Sequence, residues 1–149
     1  MKDFMQEAIK EALKAKKKGE VPIGAVVVLK DKIIGRGRNM REKTQNALHH
    51  AEIIAINKAC KKMKSWRLDD AVIFVTLEPC PMCAGAICNA RIKEVIYSAK
   101  DSSNNGDINQ RIFNSTRLNH KVKYSQGEYS QECSNLLSEF FKEKRKNKN

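Results

Sequence analysis

Residues 71–98, AVIFVTLEPCPMCAGAICNARIKEVIYS, hold the reading on which the fold turns. The stretch opens and closes in short apolar runs: Ala71–Thr76, with Val-Ile-Phe-Val at its centre, and Glu94–Ser98, built on Val95-Ile96-Tyr97. Runs of this length, rich in β-branched and aromatic residues, read as buried strands. Between them Pro81–Arg91 reads as a helix, with Pro81 suited to the first helical position, where its missing N–H loses no bond.

The same alternation extends in both directions. Upstream, Phe4, Met5, Ala8, Ile9, Ala12 and Leu13 recur at helical spacing and predict an amphipathic helix ending near Lys18-Gly19. Pro22–Leu29, with Val26, Val27 and Val28 in a row, is a further strand. The polar turn Lys30-Asp31-Lys32 joins it to Ile33-Ile34-Gly35 as a hairpin. Arg36–Asn46 reads as a loop longer than a hairpin needs, the kind of segment in which function tends to sit. His49–Lys64 predicts a helix burying Ile56, Ala59, Cys60 and Met63 on one face. Downstream, Ala99–Lys121 is too long for a hairpin. With Ile112-Phe113 to anchor a short helix, it permits a strand at Val122-Lys123-Tyr124 to run parallel to its predecessor. Cys133, Leu136, Leu137, Phe140 and Phe141 mark the stripe of a last helix that runs into a basic tail. Helices alternating with short apolar strands predict an α/β protein, a three-layer α/β/α sandwich. With no repeat and no long linker, residues 1–149 are expected to form a single domain.

Composition narrows the class. At 149 residues, with 41% apolar and 31% charged, the chain can bury a core and is not of disordered type. No apolar run approaches the ~20 residues of a membrane span. Met1–Glu20 is charged throughout and lacks the apolar segment of a secretory signal, so no membrane partner and a cytoplasmic location are expected. Five cysteines, an odd number, with Cys80, Cys83 and Cys88 clustered, argue against a disulfide scaffold. The formal net charge of +12 favours a polyanionic partner, against the plainer reading of a charged, solvated surface.

Two short motifs carry chemistry: His50-Ala51-Glu52 and Pro79-Cys80-Pro81-Met82-Cys83. Cys80 and Cys83 lie about one helical turn apart on one face, at a helix N-terminus whose dipole favours thiolates. Alone, the pair fits a redox couple or half of a structural zinc site. A structural site needs four protein ligands; His50, Cys80 and Cys83 assemble easily, while His49 points away from its neighbour and Cys88 faces elsewhere. Three ligands with an open position is the catalytic arrangement. Glu52, two residues beyond the histidine, is placed to reach a metal-bound water without ligating the metal, as a general acid/base does. The plainer alternative for Glu52, a favourable charge in the first turn of its helix, leaves the rest of the constellation unexplained.

On these residues the chain resembles the zinc-dependent cytidine/adenosine deaminase superfamily, whose signature is this pair of motifs. Val21-Pro22-Ile23-Gly24-Ala25-Val26-Val27, Trp66-Arg67-Leu68 and Thr76–Ala86 are similar to stretches of the bacterial tRNA-specific adenosine deaminases within it. Leu118-Asn119-His120, Glu132-Cys133-Ser134 and Phe140-Phe141 resemble their C-terminal signature, so the likeness covers residues 4–146. The resemblance implies a cytidine deaminase-like fold with a mixed sheet of about five strands, and one Zn2+ per chain on His50, Cys80 and Cys83. It implies that Glu52 relays protons while adenosine becomes inosine at the wobble position of a tRNA anticodon stem-loop. It further implies substrate contacts at Asn39, Ala51, Lys100, Asp101, His120 and Phe140, and a homodimer; Arg145, in the basic run Lys142–Lys148, is a candidate phosphate contact on charge alone, against the plainer reading of a solvated tail. Ser102–Asp107 departs from the small-residue loop usual there, which touches substrate contacts and not the metal chemistry. A free-base or nucleotide deaminase, such as a guanine deaminase, and a non-catalytic zinc-containing RNA-binding module are the competing readings.

Overall fold

The computed structural model describes residues 2–103, 105–115 and 119–147. Met1, Asn104, Leu118 and Lys148, which enter the readings above, lie outside the described residues. In chain order the elements are α1 (Phe4–Lys17), β1 (Gly24–Leu29), β2 (Lys32–Arg38), α2 (Arg41–Thr44), α3 (Ala51–Met63) and β3 (Val72–Leu77). They continue with α4 (Pro81–Asn89), β4 (Glu94–Ala99), α5 (Asn105–Phe113), β5 (Lys123–Gln126) and α6 (Ser130–Lys146).

The strands form one sheet in the order β2-β1-β3-β4-β5. Strand β1 pairs antiparallel with β2 and β3, whereas β3–β4 and β4–β5 are parallel, so the sheet is mixed and the long crossover does return a parallel strand. The hairpin turn is tight because Lys30 (φ 50) and Asp31 (φ 62) both adopt left-handed backbone, the geometry that follows the twist of the flanking strands. Helices cover both faces. Met5, Ala8 and Ile9 of α1 and Cys133 of α6 pack with Val26 and Val28 on one side. Ala55 and Ala59 of α3, Ala84 and Ile87 of α4, and Phe113 of α5 pack with Val27, Ile73, Val75 and Val95 on the other. The predicted three-layer sandwich is the observed architecture.

Three local readings change. Part of the expected loop Arg36–Asn46 is ordered: β2 runs to Arg38 and α2 occupies Arg41–Thr44. The buried side of α3 is Ala51, Glu52, Ala55, Ile56 and Ala59, while Met63 is exposed. The helix is rotated this way because it docks on the glycines of β2. A Cβ built at Gly37 would stand 2.1 Å from the Ala51 carbonyl oxygen and 2.5 Å from the Ala55 nitrogen, so backbone meets backbone there. In α6, Cys133 and Phe140 are buried but Phe141 is 45% exposed, because it turns toward a cavity described below.

Helix α1 is tied to the edge strand β2 by charge. Glu7 accepts hydrogen bonds from Lys10 (2.7 Å) and Arg36 (2.8 Å), and Glu11 accepts from Arg38 (3.3 Å). Lys10, and after it Arg36, hold the Glu7 carboxyl down at about 2 from its ordinary 4.5. All five cysteines are free thiols, and among the described residues no helix is long and apolar enough to cross a membrane.

Two outcomes follow from this packing. Gly37→Ala is expected to destabilise the fold by about 1–3 kcal/mol or more in chemical denaturation, since the methyl has no space that a side-chain movement could open. A carboxyl depressed in the folded state stabilises above its unfolded pKa and loses that contribution as the pH falls through the folded one. The wild type is therefore expected to lose thermal stability between pH 4.5 and 2 more steeply than Glu7→Gln does.

Candidate active site

Because β3 and β4 run parallel, with β1 antiparallel to β3, one edge of the sheet gathers the ends of β2, β3 and β4 and the start of β1. The helices α3 and α4 both begin at this edge. His50 is the N-cap of α3 and Cys80 the N-cap of α4, each in extended backbone, and the Cys80 sulfur turns to Cys83 in the first turn of α4 and to His50. Both side chains are thereby available to face one another, with two positive helix termini converging on them.

His50 Nδ1 lies 3.6 Å from the sulfur of Cys80 and 3.6 Å from that of Cys83. The three donor atoms fall within 4.8 Å of one another. Bond lengths of about 2.0–2.1 Å to nitrogen and 2.3 Å to sulfur in a tetrahedron require a nitrogen–sulfur separation of about 3.6 Å, which both nitrogen–sulfur distances match. His49 turns the other way, its Nδ1 2.7 Å from the Thr44 hydroxyl, and Cys88 is buried in the core. Among the described residues no fourth protein ligand joins the cluster.

Protons in this cluster are shared tightly. The Cys83 thiol, then His50, bond the Cys80 sulfur and draw its pKa down to about 4. The Cys80 thiolate and burial push Cys83 far up, and Cys80 in turn raises His50. Glu52 sits in the first turn of α3, 4% exposed, and desolvation pushes its carboxyl up to about 7. One imidazole nitrogen and two sulfurs brought together beside a buried carboxylate are a donor set for a divalent cation.

A cavity of about 620 Å³ opens over the cluster. His50 and Ala51 form its floor, Val21, Ile23 and Leu77 its apolar walls, and Arg41, Lys100 and Arg145 bring cationic groups to it, with Asp101 among them. Asn39 lines it too. The residue is 5% exposed, and its Oδ1 is buried without a hydrogen-bond partner among the described residues. Arg41 is held in place by Glu20, whose two carboxylate oxygens accept the N–H groups of Glu42 (3.2 Å) and Lys43 (2.8 Å) at the start of α2.

Of the residues named from sequence, His50, Ala51, Asn39, Lys100, Asp101 and Arg145 meet at this cavity. Glu52 lies below it, in hydrogen-bond reach of Cys83. Two do not belong to it. His120 bonds the Ile92 carbonyl oxygen (2.6 Å), just ahead of β4 and hence at the opposite edge of the sheet, about 20 Å away over a six-residue strand. Phe140 is buried behind α6 at 7% exposure, and its neighbour Phe141 is the ring that faces the cavity. Missed from sequence were Arg41 and the cavity-facing row of α6, Ser134, Leu137, Ser138 and Phe141. With Arg145 that row recurs at helical spacing, a signal hidden by the apolar stripe beside it.

This chain belongs to the MafB19-like deaminase family, which matches residues 1–145. Within that family it is similar to the tRNA-specific adenosine deaminase of Bacillus subtilis (strain 168), 46% identical over 97% of this chain and 91% of that protein. The protein of the same description from Streptococcus pyogenes serotype M18 is 47% identical over 97% of this chain and 92% of its own length. A solved structure from a study of A-to-I editing by tRNA:A34 deaminases at the wobble position of transfer RNA superposes with a TM-score of 0.84. It is 38% identical and covers 90% of this chain and 98% of its own. The guanine deaminase of Bacillus subtilis superposes at 0.64 with 31% identity, covering 91% and 90%. The resemblance read from His50-Ala51-Glu52 and Pro79–Cys83 is borne out, and the non-catalytic module is set aside: the chain is an enzyme of deaminase type.

The placement of α6 has a direct readout in a deaminase assay. Phe141→Ala is expected to weaken substrate binding about tenfold, the size of one lost stacking contact, with little change in melting temperature. His120→Ala is expected to lower the melting temperature and leave kcat/KM within about twofold.

Proposed function

We propose that this chain hydrolyses adenosine to inosine at the wobble position of a tRNA anticodon, as one deaminase domain spanning residues 1–149. The observation that carries the reading is the part-buried three-donor cluster whose His50 lines a cavity to which Arg41, Lys100 and Arg145 bring positive charge. Relatives named for tRNA-specific adenosine deamination, at 46–47% identity, support it over guanine deamination, whose solved relative is at 31%.

His50 Nδ1 and the sulfurs of Cys80 and Cys83 would hold one Zn2+. When bound, zinc supplies a positive charge that lowers the pKa of water toward about 7. Glu52, buried beside the donor cluster, takes a proton from the attacking water and delivers it to the purine ring nitrogen. It then carries the second proton to the departing amine, so that adenosine and water become inosine and ammonia. The buried Oδ1 of Asn39 orients the base by accepting a hydrogen bond that no protein group supplies. An anticodon loop presents its bases unpaired, which keeps the cost of flipping low, and the cations around the cavity bind the flanking phosphates.

The active unit is a homodimer in this reading. Ile53 and Ile54 on α3 and Met82 and Ala86 on α4 are only half-buried, and a Cβ at Gly85 would meet open space, leaving an apolar face for a second copy. A tRNA substrate places the enzyme in the cytoplasm.

Zinc-loaded protein is to be incubated with an anticodon stem-loop bearing adenosine at the wobble position and, separately, with adenosine, cytidine and guanine. Inosine is expected in the stem-loop only, falling by about 10²–10⁴ in Glu52→Ala. Metal analysis is expected to give one zinc per chain, lost in Cys83→Ala. Ammonia released from the small molecules alone would overturn the substrate assignment.

A further inference from the structure

Behind Lys100 and Asp101 lies a second cavity, of about 250 Å³, shared between β3, β4, β5 and α5 and bordered by Glu78 and Tyr124. Glu78 follows β3 directly, two residues before Cys80, and is 5% exposed. Among the described residues no lysine or arginine is hydrogen-bonded to it. Its Oε1 accepts the Asp101 N–H (2.9 Å) and its Oε2 accepts the Tyr124 hydroxyl (2.5 Å). That hydroxyl in turn accepts from Asn109 Nδ2 (3.3 Å), which also donates to the Pro79 carbonyl oxygen (2.6 Å). A Cβ at Gly106 would come within 2.7 Å of Glu78 Oε2, so the start of α5 presses against the same carboxylate.

This chain of bonds joins two separate loops. Pro79 precedes the cysteines, Asp101 borders the substrate cavity, and the groups that tie them, Tyr124 and Asn109, touch neither the donor cluster nor the main cavity. The Tyr124 ring is fixed independently of its hydroxyl, between Tyr97 (centroids 4.8 Å apart) and Phe113 (5.1 Å). Phe113 and Asn109 are fully buried.

We propose that Tyr124 is a positioning residue for the deaminase reaction. Its hydroxyl, braced by Asn109, orients the Glu78 carboxylate, and Glu78 sets the backbone of Asp101 at the substrate cavity. The α5 crossover thereby acts on substrate binding through a buried carboxylate without touching substrate. The effect on substrate rests on the stem-loop reading; the link to Asp101 does not.

Tyr124→Phe removes one oxygen and keeps the ring, and it is compared with Phe113→Leu, which loosens the same stack and alters no polar group. Two measurements are made on zinc-loaded protein: steady-state kinetics on the anticodon stem-loop, and hydrogen exchange of the Asp101 amide by NMR. Tyr124→Phe is expected to raise KM about fivefold, the factor one buried hydrogen bond carries, with kcat within about twofold. It is also expected to speed Asp101 exchange by about that factor or more. Phe113→Leu is expected to lower the melting temperature with neither change. Unaltered Asp101 exchange in Tyr124→Phe, or equal shifts in both variants, would overturn the proposal. If the wild type makes no inosine in the stem-loop, the functional reading fails, and the exchange data still decide the link.

Discussion

Strand β2 and helix α3 meet backbone to backbone, and the rest of the candidate site depends on how closely they do so. At Gly37 there is no room for a methyl group between the strand and the first turn of the helix. That contact fixes where α3 begins, and its first residues are the ones that matter: His50 at the cap and Glu52 in the opening turn. Helix α4 begins in the same way at the end of β3, with Cys80 at its cap. Two helix starts held over one sheet edge bring together donors that are thirty residues apart in the chain.

The layers of the fold were legible because each rests on a local pattern. Three consecutive valines mark β1, Val-Ile-Phe-Val marks β3, and the length of Ala99–Lys121 rules out a hairpin. The cluster was legible for a similar reason, since Cys-x-x-Cys and His-x-Glu each place their side chains within a single turn of helix. What escaped depends on distant contacts. Arg41 belongs to a polar stretch with no apolar periodicity, and its short helix is held by the Glu20 carboxylate from another part of the chain. His120 sits in a motif-like stretch, but sequence gives no sign of which end of the sheet it occupies, and its bond to Ile92 places it at the far one. Phe140 and Phe141 are neighbours in sequence, and a helix turns neighbours about 100° apart, so one packs on the core and the other faces the cavity.

Charge divides along the same lines. The surplus of +12 is spread over the whole chain, and much of it has local employment: Lys10, Arg36 and Arg38 bond the two acids of α1. Arg41, Lys100 and Arg145 differ in kind, because three remote segments bring them to one cavity. Net charge alone says that a polyanion is welcome somewhere; the fold concentrates the attraction beside the His50, Cys80 and Cys83 cluster.

The two outermost strands have a further consequence. Strand β2 carries Lys32, Arg36 and Arg38, and β5 carries Lys123 with Lys121 just before it. An open strand edge is a template for pairing with another chain, and an exposed lysine on it, as Lys32 and Lys123 are, opposes that pairing, whereas Arg36 and Arg38 are neutralised by Glu7 and Glu11. Sheet-to-sheet growth is thus disfavoured at both margins, which protects a mixed sheet from becoming the seed of an aggregate. Any association between copies is steered away from the strands and toward the helices.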